Sequence, residues 1–249
     1  MTDWIQLRQL EAGSPAAPNL FCLPHAGSGA AGFFRWRRAL ASLNVCPVQL
    51  PGRDARMSEA PLTDACELVA QIHAALHPHL ERPYVLFGHS MGALLAALWA
   101  QRIQQEGLPQ PLALVISGRG APSERPVFPG LEAMSDEELL HALDARFGGD
   151  SASTLLSDPD LRAIYVPLLR ADLAVVDSAS AACFVEELRV PVQVLYGASD
   201  PAVPAASAER WREFAAGPIT VESLPGDHFF HFGESEAAVL ALLEKLAVR

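Results

Sequence analysis

Gly88-His89-Ser90-Met91-Gly92 reads G-x-S-x-G. A serine in that spacing can act as a nucleophile if the chain turns sharply at it. Glycine two positions to either side leaves room for the turn, which holds the hydroxyl clear of the backbone at the start of the following helix. The hydroxyl is a weak nucleophile until a base removes its proton and an acid orients that base. Two later stretches offer these partners. Tyr196-Gly197-Ala198-Ser199-Asp200-Pro201 puts Asp200 in a turn after an apolar run, and Leu224-Pro225-Gly226-Asp227-His228-Phe229-Phe230 puts His228 in a loop before the last helical pattern. Serine, then acid, then histidine, each just after a strand-like run, is one of the chain orders of a Ser-His-Asp acyl-transfer triad. An oxyanion at the attacked carbonyl needs two backbone N–H donors. Met91, next after the serine, is expected to give one. Ala26, in the small-residue loop Leu23-Pro24-His25-Ala26-Gly27-Ser28-Gly29, is expected to give the other.

Other residues compete for these roles. Asp227 directly precedes His228, but sequence neighbours rarely aim at each other, which favours Asp200. Asp200-Pro201 also reads as a simple turn former. His231 is a second candidate base, and the tight Pro225-Gly226 turn favours His228 over it. His89 is expected to pack beside the serine. His73, His77, His79 and His141 fall on helical patterns and are expected to face solvent. The sequence has no H-E-x-x-H or other metal-ligand spacing, so no metal and no cofactor is expected.

Strands must end where these residues begin. Tyr84-Val85-Leu86-Phe87 precedes the serine, and Ala93-Leu94-Leu95-Ala96-Ala97-Leu98 follows it as a small-residue helix. The other strand-like runs are 20–23, 45–50, 112–116, 190–196 and 219–221. Helical patterns lie around 33–43, about 64–80 and about 234–247. Strands alternating with helices predict an α/β class with a mostly parallel sheet flanked by helices. The alternation breaks between Gly118 and Leu188. There Ser135-Asp136-Glu137-Glu138 is a capping box ahead of Leu139, Leu140, Leu143 and Phe147, with Gly148-Gly149 as the stop. A second helix is expected after Ser157, with an apolar stripe from Leu161 to Val176 and a kink or split at Pro167. Residues 119–187 therefore read as a helical lid inserted into a single domain spanning 1–249. The insertion leaves from the C-terminal end of a strand, where sites in open α/β sheets lie.

Composition bounds the partners. The 249 residues suffice for one domain with a full core. Half are hydrophobic and 19% are charged, ordinary values for a soluble globular chain. The 18 basic and 29 acidic residues give −11, which argues against a nucleic-acid partner. No apolar stretch approaches the ~20 residues of a membrane span. Met1-Thr2-Asp3-Trp4 lacks the apolar core of a secretory signal. Cys22, Cys46, Cys66 and Cys183 are scattered and read as buried, reduced thiols. A cytoplasmic monomer is the expectation. Arg35, Arg37 and Arg38, and Arg119 with Arg125, are two basic groups able to dock an acidic partner, although such runs are more often solvated faces.

On these motifs the chain resembles the type II (external) thioesterases that accompany nonribosomal peptide and polyketide synthases. The likeness rests on Leu23-Pro24-His25-Ala26-Gly27, Gln49-Leu50-Pro51-Gly52-Arg53, Gly88-His89-Ser90-Met91-Gly92-Ala93 and Gly226-Asp227-His228-Phe229-Phe230, and runs from about Leu20 to Leu246. The resemblance implies an α/β-hydrolase fold with an inserted helical lid. It implies Ser90, Asp200 and His228 as the triad, and Ala26 and Met91 as oxyanion donors. It also implies a substrate: stalled or misprimed acyl groups thioesterified to the phosphopantetheine arm of acyl or peptidyl carrier domains. Two departures bear on partner contacts rather than on the triad. The family's P-G-R-E-x-R reads Pro51-Gly52-Arg53-Asp54-Ala55-Arg56 here, and the stretch before Gln49 is a little short. A carboxylesterase or acyltransferase of the same fold is the alternative. A non-catalytic binding protein on this fold would usually have lost a triad member, and none is missing.

Overall fold

The computed structural model describes residues 4–5, 14, 16–122, 127–148 and 151–247. Among these, β1 (Asn19–Leu23), β2 (Asn44–Pro47), β3 (Tyr84–His89), β4 (Ala113–Ser117), β5 (Val192–Gly197) and β6 (Ile219–Leu224) form one sheet. Its order is β2-β1-β3-β4-β5-β6, and every neighbouring pair is parallel. Parallel neighbours require crossovers, and helices α1 (Trp36–Ala39), α2 (Ala65–Leu76), α3 (Met91–Gln105), α4 (Asp136–Phe147), α5 (Ser151–Ser157), α6 (Pro159–Ser178) and α7 (Ala205–Glu209) lie in them, with α8 (Glu236–Ala247) after β6. β1, β3 and β4 are buried along their whole length, which explains their near-continuous apolar runs.

Alternate strand residues feed two cores. Phe21, Leu23, Leu86, Leu114 and Ile116 join the cluster of α2 and α3, while Leu20, Cys22, Val85, Phe87 and Val115 join Trp36 with Val239, Leu243 and Leu246 of α8. The chain steps from β1 outward to β2, then returns past β1 to β3 and continues the other way. That reversal opens a crevice at the C-terminal ends of β1 and β3. The loop with Ala26 leaves β1, and Ser90 follows β3, so the topology sets both at the crevice.

The helical pattern around 33–43 is broken into a 3₁₀ turn, Ala30–Phe33, and the four-residue α1. Phe33, Trp36, Leu40 and Leu43 are all buried, so the apolar spacing holds. Leu40 leaves helical backbone at ψ 82° because the chain must turn to start β2 at Asn44. α2 begins after Asp64, whose carboxylate accepts the Glu67 N–H at 2.8 Å as an N-cap.

The capping box at Ser135 and Glu138 forms and starts α4. α5 carries no periodic signal and escapes sequence reasoning. α6 runs through Pro167 without the expected split. The proline removes one N–H, but Val166 and Leu168 on either side of it are buried, with Leu173, Val175 and Val176 beyond, and this packing keeps the helix whole. The three inserted helices share their own cluster, with Leu139, Leu140, Leu143, Val166 and Leu173 around Phe128. Gly149 and Arg125 lie outside the described residues.

Two burial expectations fail. Cys22 and Cys46 are buried, and burial pushes the Cys46 thiol up to about 12, but Cys66 is exposed and Cys183 half-buried; all four are free. His73 does not face solvent. It lies on the buried face of α2, where its Nδ1 accepts the Trp99 indole N–H at 3.3 Å and its Nε2 lies 2.9 Å from Glu106. Four residues on from Val69, position 73 returns to the face that packs on α3. Among the described residues no helix is long and apolar enough to cross a membrane.

Candidate active site

Ser90 joins β3 to α3 with φ 54° and ψ −113°, a backbone rarely taken by a residue with a side chain. Its N–H donates to Ser117 O at 2.8 Å, tying the turn to β4. The flanking glycines are required by space. A Cβ at Gly88 would lie 2.1 Å from Gly92 O, and one at Gly92 would lie 2.1 Å from Leu23 O. The first turn of α3 therefore rests against the end of β1, which brings Met91 beside the loop of Ala26.

The acid and the histidine meet because their loops are stitched together. Ala198 N–H donates to Leu224 O at 2.7 Å and Ser199 N–H to Gly226 O at 2.9 Å. A Cβ at Gly197 would collide with Asp227 O at 2.2 Å, so glycine permits the approach. The result is a 2.7 Å contact between Asp200 Oδ2 and His228 Nδ1, with both side chains almost fully buried. The other carboxylate oxygen, Oδ1, accepts the Ala202 N–H at 2.8 Å. Asp200 is thus a turn former through one oxygen and a histidine partner through the other. Asp227 is exposed, and its Oδ1 accepts the Phe229 N–H at 2.8 Å. His231 is fully buried, and among the described residues neither ring nitrogen finds a hydrogen-bond partner.

Ser90, His228, His25, Ala26 and Gly27 line a cavity of about 490 Å³. Its far wall comes from the inserted helices, with Leu143, Phe147, Leu155, Leu161 and Leu169 giving it an apolar character. Phe147 stands 4.6 Å from His228, ring centre to ring centre, and shields it from solvent. Among the described residues the Ser90 hydroxyl makes no hydrogen bond to His228, a contact that often tightens only on substrate binding. Among the described residues the Ala26 and Met91 N–H groups take no part in the hydrogen bonds of the fold, whereas the Gly27 N–H donates to Asp172 at 2.7 Å. Among the described residues no three His, Cys, Asp or Glu side chains gather as metal ligands.

Among the described members of the two basic groups, Arg35 and Arg38 are exposed and Arg37 and Arg119 are half-buried. Arg119 lines the cavity, where burial and the nearby Arg146 push its pKa down to about 10 against the pull of Asp177. Arg35 is held by Glu236 and Phe232 O, and Arg37 lies over the Phe34 ring.

The sequence showed no cluster of histidines here, because its members come from the end of β3 and from two distant loops. His89 stacks on His231 at 3.7 Å, His25 meets both edge-on, and His89 Nδ1 sits 3.0 Å from Ser117 Oγ. Burial, helped by the like charge of neighbouring imidazoles, holds His89 and His231 well below the ordinary imidazole pKa and His25 at about 4. All three are neutral in the folded chain but protonate near 6.5 when unfolded. The unfolded chain therefore binds more protons as the pH falls from 6.5 towards 4, and stability present above that window is lost through it. For His25 alone the loss reaches about 3 kcal/mol at most. Thermal unfolding followed from pH 7 to about 4 should show a falling Tm, and His231→Phe should flatten the fall. A Tm independent of pH in that range would refute the buried, neutral state.

The thioesterase domain family matches residues 18–246. The gramicidin S biosynthesis protein GrsT of Aneurinibacillus migulanus is 34% identical over 218 residues, covering 87% of this chain and 84% of GrsT. The type II thioesterase BorB of the borrelidin biosynthetic cluster superposes with a TM-score of 0.83 at 35% identity, over 94% of each chain. YbtT, the type II thioesterase of the yersiniabactin NRPS/PKS pathway, superposes with a TM-score of 0.81 at 27% identity, over 93% of this chain and 94% of its own. With this sheet, this strained serine turn and these relatives, the chain belongs to the thioesterase family, as a thioester hydrolase of the type II class found with nonribosomal peptide and polyketide synthases.

Proposed function

We propose that this enzyme removes acyl groups from the phosphopantetheine arm of carrier domains, with Ser90 as nucleophile, His228 as base, Asp200 as orienting acid, and the Ala26 and Met91 N–H groups as oxyanion donors. The observation that carries the site assignment is the buried 2.7 Å Asp200–His228 contact beside Ser90 in one apolar cavity. Asp200 keeps the proton on His228 Nδ1, so Nε2 is free to accept the Ser90 proton. The Ser90 oxygen attacks the thioester carbonyl. The negative charge on the carbonyl oxygen is stabilised at the two N–H groups, aided by the positive end of α3. The C–S bond then breaks, and His228 returns the proton to the departing pantetheine thiol. Water, deprotonated by the same imidazole, hydrolyses the serine ester and frees the acid. The apolar wall of α4, α5 and α6 suits an acyl chain, and residues 119–187 act as a lid over it. No step calls for a cofactor. The protein works as a cytoplasmic monomer.

Intact-mass spectrometry of an acyl-loaded carrier domain incubated with the enzyme tests this reading. The expected result is loss of the acyl mass with the pantetheine arm retained. A carrier that stays loaded while a simple oxygen ester is cleaved would replace the carrier substrate with a small ester.

A further inference from the structure

The L-P-G-R arginine, Arg53, is not used by the chemistry above, yet it is buried and held by several hydrogen bonds. Arg53 forms a bidentate pair with Asp172 of α6, Nη1 to Oδ2 and Nη2 to Oδ1, both at 2.7 Å. The side chains are 5% and 1% exposed. A charge pair that far from water carries a large desolvation cost, so on stability grounds alone two apolar residues would serve as well.

The pair's remaining bonds all go to the backbone around the site. Asp172 Oδ2 also accepts the Gly27 N–H at 2.7 Å, and Arg53 Nη1 donates to Ser28 O at 3.1 Å. Arg53 Nε and Nη2 donate to Pro51 O at 3.3 Å, which fixes the arginine itself. Within the loop, the Ser28 N–H closes a turn onto His25 O at 3.1 Å. His25 C=O and Ala26 N–H belong to one trans peptide plane and point opposite ways. With His25 O turned into the loop, Ala26 N–H is turned out of it. Gly27 takes φ +76°, and Leu169 of α6 packs where a side chain at Gly27 would be.

We propose that Arg53 and Asp172 are positioning residues that aim the Ala26 N–H at the oxyanion by gripping the next peptide groups of its turn. This rests on the triad and oxyanion reading above. The pair also ties α6 to the turn.

Three variants separate positioning from support. Asp172→Ala should lower kcat by roughly 10²-fold, the scale of losing one oxyanion donor, with KM little changed. Asp172→Asn, which keeps an acceptor for the Gly27 N–H, should recover part of that rate. Arg53→Met with Asp172→Leu should recover the thermal stability, since an apolar pair tolerates burial, but should remain slow. Amide exchange in residues 24–29 should be faster in both the Ala and the double variant. A double variant that regains wild-type kcat along with its Tm overturns the proposal, as does unchanged exchange in the turn. Ser90→Ala is run alongside. If it turns over normally, the triad reading fails and this inference with it; if it is inactive while the double variant is fast, the inference alone fails.

Discussion

Ser90→Ala is expected to fold normally and to lose turnover by roughly 10⁶-fold. The fold uses Ser90 only through its backbone: the N–H reaches Ser117 O at 2.8 Å, and the side chain makes no capping bond to α3. Alanine therefore keeps the turn, and Tm should stay close to wild type. The oxyanion donors and the acyl chamber remain, so a loaded carrier domain should bind with unchanged affinity and persist as an intact complex. Residual hydrolysis should be what donors and binding alone supply, about 10³–10⁴-fold over water in comparable triads. Stopped assays on the purified variant, with binding measured in parallel, check both halves. Turnover within about tenfold of wild type, on the scale where triad members cost far more, would remove Ser90 from the nucleophile's role.

The second large effect is expected from Asp200→Asn, with kcat down by about 10⁴-fold and the fold preserved. Its cause lies in the two oxygens of the carboxylate. Oδ1 accepts the Ala202 N–H at 2.8 Å, and Oδ2 faces His228 Nδ1 at 2.7 Å. Asparagine has one carbonyl oxygen. If that oxygen stays on Ala202, the amide NH₂ faces His228 and can only donate, which forces the ring proton onto Nε2. The imidazole can then no longer accept the serine proton. KM should move little, because Asp200 is buried behind the histidine and does not line the cavity. Nitrogen chemical shifts of His228 should report the exchanged tautomer. A variant with the exchanged tautomer and near-wild-type kcat would show that His228 is not the base.

Much of this architecture is legible in the chain because its cues are local. Short apolar runs with β-branched residues set the strands, and their alternation with helical patterns predicts the parallel sheet. Ser135 and Glu138 mark the start of α4 through a bond that spans three residues. Gly88 and Gly92 mark the serine turn because a side chain at Gly88 would strike the first turn of α3 and one at Gly92 the end of β1. Where local cues mislead, a tertiary term outweighs them. Pro167 should break a helix, but buried neighbours on both sides hold α6 together. His73 reads as a surface residue from its type, yet its position on α2 returns it to the face that packs on α3.

By itself, the sequence determined the class of fold and the chemical identity of the candidate triad: three residue types, in one order, each following a strand-like run. That information survives in one dimension because the strands are parallel and each hands its following residue to the same edge of the sheet. Which histidine meets Asp200 was decided by tertiary structure. His228 and His231 are three residues apart, and only the stitching of loops 198–200 and 224–228 turns one towards the carboxylate and buries the other against His89. The grip of Arg53 and Asp172 on the loop of Ala26 was invisible for the same reason. Its partners are 119 and 145 residues apart in the chain, and no local pattern encodes a contact that exists only once α6 has packed against the end of β1.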